Sequence, residues 1–308
     1  MLLPFLLTAS PVPRPMATAA EVLARHDTQT AAFARSIERA VAGGFLADRL
    51  GYAFISGYRE ALRVLVGDGA TKEPAALCAT EEGGAHPRAI MARLNPAAEP
   101  QGVWELSGRK NFVTLGNLAR VLFVVAVDGT DAEGRNRLVL VYVPADRSGV
   151  TVKPLPDLPF VPEIPHASVE FASVRIAAAE RLPGDGYERY LKPFRTVEDC
   201  HVMAAYLGWL VQVARRCAWP ATVLQELLAL IGAGCELGSL PPLDFALHLA
   251  LGGWLQNIER LTNDCSPLWE RALPDERTRW ERDRPLLRVA AKVRARRLEA
   301  AWTKVGTV

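Results

Sequence analysis

The sequence predicts an α+β protein with a helical N-terminal segment, a central antiparallel β-barrel or sandwich, and a C-terminal helical bundle. Three observations predict it. Leu46, Leu50, Phe54, Tyr58, Leu62 and Val66 recur every fourth residue, the spacing that stacks side chains along one helix face. From about residue 75 to 182 the chain breaks into short runs such as VLFVVAV and RLVLVYV, divided by Gly, Asp, Asn and Pro, as strands and turns are. After Pro183-Gly184 long helix-period segments return and run to the end.

Each element follows from its own stretch. Residues 1–17, MLLPFLLTASPVPRPMA, hold an apolar run with no basic residue before it and prolines soon after, so we expect a disordered leader in preference to a signal peptide. Residues 18–72 form a short helical domain, ended by Asp68-Gly69. In 73–183 the runs VWELSG, NFVTLG, VLFVVAV, RLVLVYV and SVEFASV each read as a strand, and DGTDAEGRN as a hairpin loop. No helix-length segment separates them, which argues against a parallel βαβ sheet. In 184–308 the stretches TVEDCHVMAAYLGWLVQVARRC, ATVLQELLALIGAG, LDFALHLALGGWLQNIERLTN and PLLRVAAKVRARRLEAAW are each long enough for a bundle helix.

Composition narrows the function classes. At 308 residues, 50% hydrophobic and 23% charged, the chain can bury a sizeable core. A net charge of +2 gives no global field for nucleic acid or an anionic membrane. Arg288, Lys292 and Arg296 make one basic stripe, but Asp283 and Glu299 interrupt it, and a solvated helix face is its ordinary meaning. The five cysteines are scattered without a CxxC pair, which disfavours a disulfide framework or a zinc site and fits a cytoplasmic setting. No later stretch has the length and freedom from charge of a transmembrane helix.

One turn stands out. LCATEEGGAHP, residues 77–87, crowds two acids, two glycines and a His-Pro behind an apolar run. With WELSGRKNFVTLGNLARVLFVVAV, VYVPADRSGVTV, VEFASVRIAAAERLPGDG and the helix RTVEDCHVMAAYLGWLVQVARR, it resembles the acyl-CoA dehydrogenase family of flavoproteins, whose β-domain opens on a CxTEPxAGSD-like signature. The ordered motifs cover roughly residues 45 to 225.

The resemblance implies FAD as cofactor and α,β-desaturation of an acyl thioester, carried by CoA or by a carrier protein. It places Cys78 and Thr80 beside the flavin, Phe112 at the position of the family's ring-contacting aromatic, and Thr114 as a hydroxyl donor. Phe112 and Thr114 would share a face of a regular strand, though by spacing alone these are ordinary β-domain residues. Glu198 stands ten residues before Gly208, the spacing at which the isovaleryl-type members carry the base. It also reads as a first-turn acid, with Thr196 as N-cap and Asp199 as its capping-box-like partner. His201 either tunes Glu198 or is a satisfied histidine. His86 replaces a family serine as a candidate substrate contact, or marks the loss of that contact. Arg215, Arg216 and Gln225 stand where the family uses an arginine and a glutamine for the pyrophosphate, with Arg216 the candidate ligand, but Trp-Pro replaces Phe-Gly there.

The chain also departs from the family. Its N-terminal helical domain is short, it has neither a YEG nor a GGxGY segment, and its cradle reads GGAHP. Two readings therefore stand: a compact FAD-dependent dehydrogenase using Glu198, or a catalytically inactive relative serving as a binding or assembly subunit. Both expect a homodimer or homotetramer, with a homologous subunit as a further partner, and neither expects nucleic acid, membrane or metal. Acyl chain and electron acceptor are not legible.

Overall fold

The computed structural model describes residues 1–306. Four helices come first: α1 (Leu2–Thr8), α2 (Ala19–Thr30), α3 (Ser36–Leu46) and α4 (Leu50–Val66). Seven strands follow: β1 (Ala75–Cys78), β2 (Arg93–Pro96), β3 (Val103–Thr114), β4 (Val121–Thr130), β5 (Asn136–Pro144), β6 (Val150–Pro154) and β7 (His166–Ala177). The chain ends in α5 (Lys192–Arg216), α6 (Ala221–Leu237), α7 (Phe245–Asp264), α8 (Pro274–Asp283) and α9 (Ala291–Val305). It divides into two units. Of the described residues, a helical unit holds 1–64, 158–163 and 196–306, and a β-unit holds 65–157 and 164–195.

In the helical unit, the four-residue apolar spacing proves to straddle two helices, because α3 stops at Leu46 and α4 starts at Leu50. Asp48 and Arg49, ion-paired at 2.8 Å, occupy the break. Within the expected disordered leader, residues 1–17, the stretch Leu2–Thr8 is a packed helix instead. Leu2 and Leu6 of α1 are buried, and the Phe5 ring meets Phe33 and Phe45 at 5.2 and 5.3 Å. Arg215 Nη1 then donates to the carbonyls of Leu6 and Ala9 at its C-terminal end, satisfying groups a helix end leaves open. The central helix is α5. At its Gly208 an added Cβ would lie 2.1 Å from the Val41 carbonyl oxygen of α3, so the two backbones touch where only glycine fits.

The C-terminal elements differ from expectation in two places. Pro274–Asp283 is a further helix, α8, started by a proline at its first position. The last periodic stretch is split into a 3₁₀ turn, Arg284–Arg288, and α9. Arg288 therefore belongs to a different element from Lys292 and Arg296, and the basic stripe is not continuous. Among the described residues no helix is long and apolar enough to cross a membrane.

The β-unit is one seven-stranded sheet in the order β1-β4-β2-β3-β7-β6, with β5 paired to β4. Most pairings are antiparallel, but β1 and β2 both run parallel to β4. The VWELSG and NFVTLG runs are a single strand, β3, continuing through Gly108. An added Cβ at Gly108 would sit 2.6 Å from Ala92 Cα, so this glycine serves close approach inside a strand and makes no turn. Leu106, Leu122, Val124, Val141, Val169 and Phe171 are among the side chains that fill the core.

Candidate functional site

In the β-unit the cradle turn begins where β1 ends. Cys78 is fully buried in the sheet core, and burial pushes its thiol pKa up to about 12. It is a neutral packing group there, so its side chain offers no surface to a cofactor. Thr80 is half-buried, and its carbonyl accepts the Asn111 N–H at 2.8 Å. This bond ties the cradle to the residue before Phe112.

A group that sequence reasoning passed over organises the turn. Lys110 Nζ lies 2.6 Å from Glu81 Oε1, with side chains 0% and 7% exposed. Glu81 also accepts the backbone N–H groups of Met91 and Ala92 at 2.8 and 3.1 Å, while Lys110 reaches the Ala79 carbonyl at 3.5 Å. Burial lowers the Lys110 pKa and the Glu81 carboxylate works against that shift. The pair thus clamps both ends of the 81–92 loop onto β3. His86 lies on the outside of the loop, exposed, with Nδ1 accepting the Arg88 N–H at 3.2 Å.

Phe112 is not on a regular strand. The pairing of β3 with β7 shifts between Lys110 and Val113, and Phe112 has φ +51°. A bulge of this kind re-aims a side chain, and the Phe112 ring is left 58% exposed. Thr114, half-buried two residues on, lies 3.4 Å from His166 Nε2. His166 Nδ1 is 3.0 Å from the Ile164 carbonyl, so Nδ1 carries the proton and Nε2 is left to accept from the Thr114 hydroxyl. Asn111 Oδ1 is buried without a hydrogen-bond partner. The exposed Phe112 ring is the flat apolar face that an isoalloxazine requires beside it, and in that respect this end fits a flavin.

In the helical unit, α5 begins at Lys192, so Thr196 and Asp199 lie inside the helix and make no N-terminal cap. Asp199 instead binds Arg294 and Arg297, at 2.8 and 2.5 Å. Glu198 beside it is half-buried. His201 is fully buried, with Nδ1 2.7 Å from the Val197 carbonyl and Nε2 2.9 Å from Ser36 Oγ. Burial lowers its pKa to about 4, so it is a neutral, satisfied histidine.

Arg216 stands 18 residues beyond Glu198, roughly 27 Å along α5 at 1.5 Å per residue. Its Nη1 donates to Glu276 at 2.8 Å, in an ion pair the sequence did not suggest. Arg215 is spent on α1. Both arginines that the resemblance offers for a pyrophosphate are thus committed, Arg215 to α1 and Arg216 to Glu276. Gln225 is exposed on α6.

One cluster has metal-like spacing. His26, Asp27 and Glu60 bring ligand atoms within 4.8 Å of one another. Arg39 and Arg63 pair with Glu60, and Arg59 and Arg63 with Asp27. The carboxylates are thus already neutralised, which makes this a structural network.

Residues 76–174 match the family model described as the acyl-CoA dehydrogenase middle domain. The whole chain superposes on solved structures at low identity. For butyryl-CoA dehydrogenase from Megasphaera elsdenii the TM-score is 0.69 at 14% identity, covering 98% of this chain and 94% of that one. For the electron transferring flavoprotein of Acidaminococcus fermentans it is 0.71 at 13%, covering 91% and 88%. For FMN-bound TdsC from Paenibacillus sp. A11-2 it is 0.61 at 17%, covering 93% and 84%. No curated protein matches the sequence. The chain thus has the acyl-CoA dehydrogenase fold along nearly its whole length, and its middle third carries that family's sequence pattern.

Proposed function

We propose that the protein is a flavin-dependent oxidoreductase of the acyl-CoA dehydrogenase kind, acting on an acyl thioester of CoA or a carrier protein, with Glu198 as the α-proton base. The supporting observation is that the segment matching the family's middle domain contains the clamped cradle turn, Phe112 and Thr114. FAD is the cofactor of this reading. When bound, a flavin supplies a two-electron acceptor for the substrate's β-hydrogen.

The chain's own residues do the rest. The Glu81–Lys110 pair fixes the loop that carries Thr80, and the bulge at Phe112 offers a flat apolar wall. Thr80 supplies a hydroxyl at the ring edge, and Thr114, whose proton goes to His166 Nε2, presents only its oxygen there. Glu198, on a long rigid helix, takes the α-proton at a carboxylate oxygen. The closed Arg216–Glu276 pair supports the second reading, a relative that has lost catalysis and binds or assembles with other subunits.

An absorbance spectrum of the purified protein with and without added FAD, followed by anaerobic acyl-CoA additions, separates the two. The enzyme reading expects bound oxidised flavin that bleaches with one acyl-CoA, and expects Glu198→Gln to keep the flavin while losing bleaching by at least 100-fold in rate. A folded protein that takes up no flavin sinks it. FMN taken up in preference to FAD would retain the flavin but remove the dinucleotide, as the committed arginines would require.

A further inference from the structure

Within the helical unit, a cavity of about 820 Å³ opens between α5, α7, the Arg284–Arg288 turn and α9. That volume is in the range of small-molecule sites. Its lining is of two kinds. Leu255, Leu287 and Leu298 give an apolar wall, while Arg284, Arg288, Arg294 and Arg297 supply four guanidinium groups.

The charges there do not balance. Asp199 is shared by Arg294 and Arg297, and Glu259 pairs with Arg288 at 2.9 Å. Four cations against two carboxylates leave two in excess. Among the described residues Arg284 has no acidic partner. His248, also in the lining, adds no charge near neutral pH, because burial lowers its pKa. Arg284 and Arg288 are solvent-exposed, so this surplus stands at the open side of the cavity, where an anion from solution can pair with a guanidinium. An apolar tail with an anionic head answers both halves of the lining.

We propose that this cavity binds a straight-chain fatty carboxylate, with the tail against Leu255, Leu287 and Leu298 and the head group at Arg284. The site uses neither Glu198 nor any residue assigned to the flavin, so it stands or falls apart from the reading above.

The test is displacement of a dansyl-labelled undecanoate from the full chain, with no flavin or CoA added. Decanoate should compete at a single saturable site, weakening about fourfold for each methylene removed. Arg284→Gln, an exposed position, should weaken decanoate at least tenfold. Leu255→Trp, which fills the cavity from α7, should abolish binding, and Glu198→Gln should leave it unchanged. The proposal is overturned if the probe does not bind saturably, if decyltrimethylammonium competes as well as decanoate, or if Arg284→Gln leaves the affinity intact. Should Leu255→Trp fail to fold, the Arg284 variant and the chain-length series still decide. Flavin uptake measured on the same preparation reports on the dehydrogenase reading alone.

Discussion

Glu81 and Lys110 show how one buried pair fixes a functional turn. Breaking such a pair from one side leaves a charge without its partner, at a cost of about 3–5 kcal/mol, whereas replacing both members by apolar groups is far milder. We therefore expect Lys110→Met to destabilise the protein by about 3 kcal/mol or more, and Glu81→Leu/Lys110→Met to recover most of that loss. Urea midpoints for wild type, single and double variants check this, and a loss under 1 kcal/mol in the single variant removes the clamp. Sequence alone showed Glu81 as one more acid in a crowded turn, because its partner is 29 residues away. A weak signal was there: Lys110 falls in phase with buried Leu106 on the two-residue period, a cation on an inward position. Arg216 is the reverse case. Its position in the motif was legible, but Glu276, the partner that closes it, lies on α8, a helix with no apolar period in the sequence to announce it.

At the scale of elements, periodicity located helices and strands well, and failed where the backbone departs from a regular period. The order of helices, sheet and helices was legible, as were α5, α6 and α7 to within a few residues. The join within β3 was not, since a glycine needed for close approach to Ala92 looks in sequence like a turn. The bulge at Phe112 was equally hidden, because nothing in the letters NFVT requires φ +51°. That strain carries a prediction. A left-handed residue with a Cβ costs roughly 1–2 kcal/mol, so Phe112→Gly should hold or raise stability by up to about 1 kcal/mol once the entropy of the unfolded glycine is set against it. The same variant removes the exposed ring, and flavin affinity should fall at least tenfold. Thermal unfolding and flavin titration on the one variant read the two effects. Loss of both stability and affinity would mean that Phe112 is a packing residue. Gly208 makes the complementary case, since Gly208→Ala must push a Cβ into the Val41 carbonyl. A backbone cannot yield as a side chain can, so about 2 kcal/mol or more of destabilisation is expected.

Across the whole molecule, carboxylates held below their ordinary pKa occur in both units, Glu60 and Asp27 in the helical one and Glu180 in the β-unit. Glu60 is raised by its burial but pulled lower by His26, Arg63 and Arg39, and the net pKa lies below its usual value of 4.5. Asp27 is likewise raised by burial and lowered more by Arg59 and Arg63. A carboxylate with a depressed folded pKa adds stability that is present above its unfolded value and is lost as pH falls through the folded one. His201 acts earlier in an acid titration. Its folded pKa of about 4 lies below the ordinary 6.5, so between those values the unfolded chain holds the extra proton and stability declines as pH falls. The full loss is about 3 kcal/mol by pH 4, a large fraction of the total for a domain. The Trp209, Trp269 and Trp280 cluster lies in the same unit, with the last two rings stacked at 4.7 Å, so tryptophan fluorescence is a suitable readout. The urea midpoint of wild type should fall steadily from pH 6.5 to 4. In His201→Gln, which keeps hydrogen-bonding capacity towards Val197 and Ser36 but cannot take a proton, that slope should flatten while the steeper loss below pH 4 from Glu60 and Asp27 remains. A wild-type midpoint independent of pH above 4 would show that His201 is not held neutral by burial, and would leave the acid response to the carboxylates Glu60, Asp27 and Glu180.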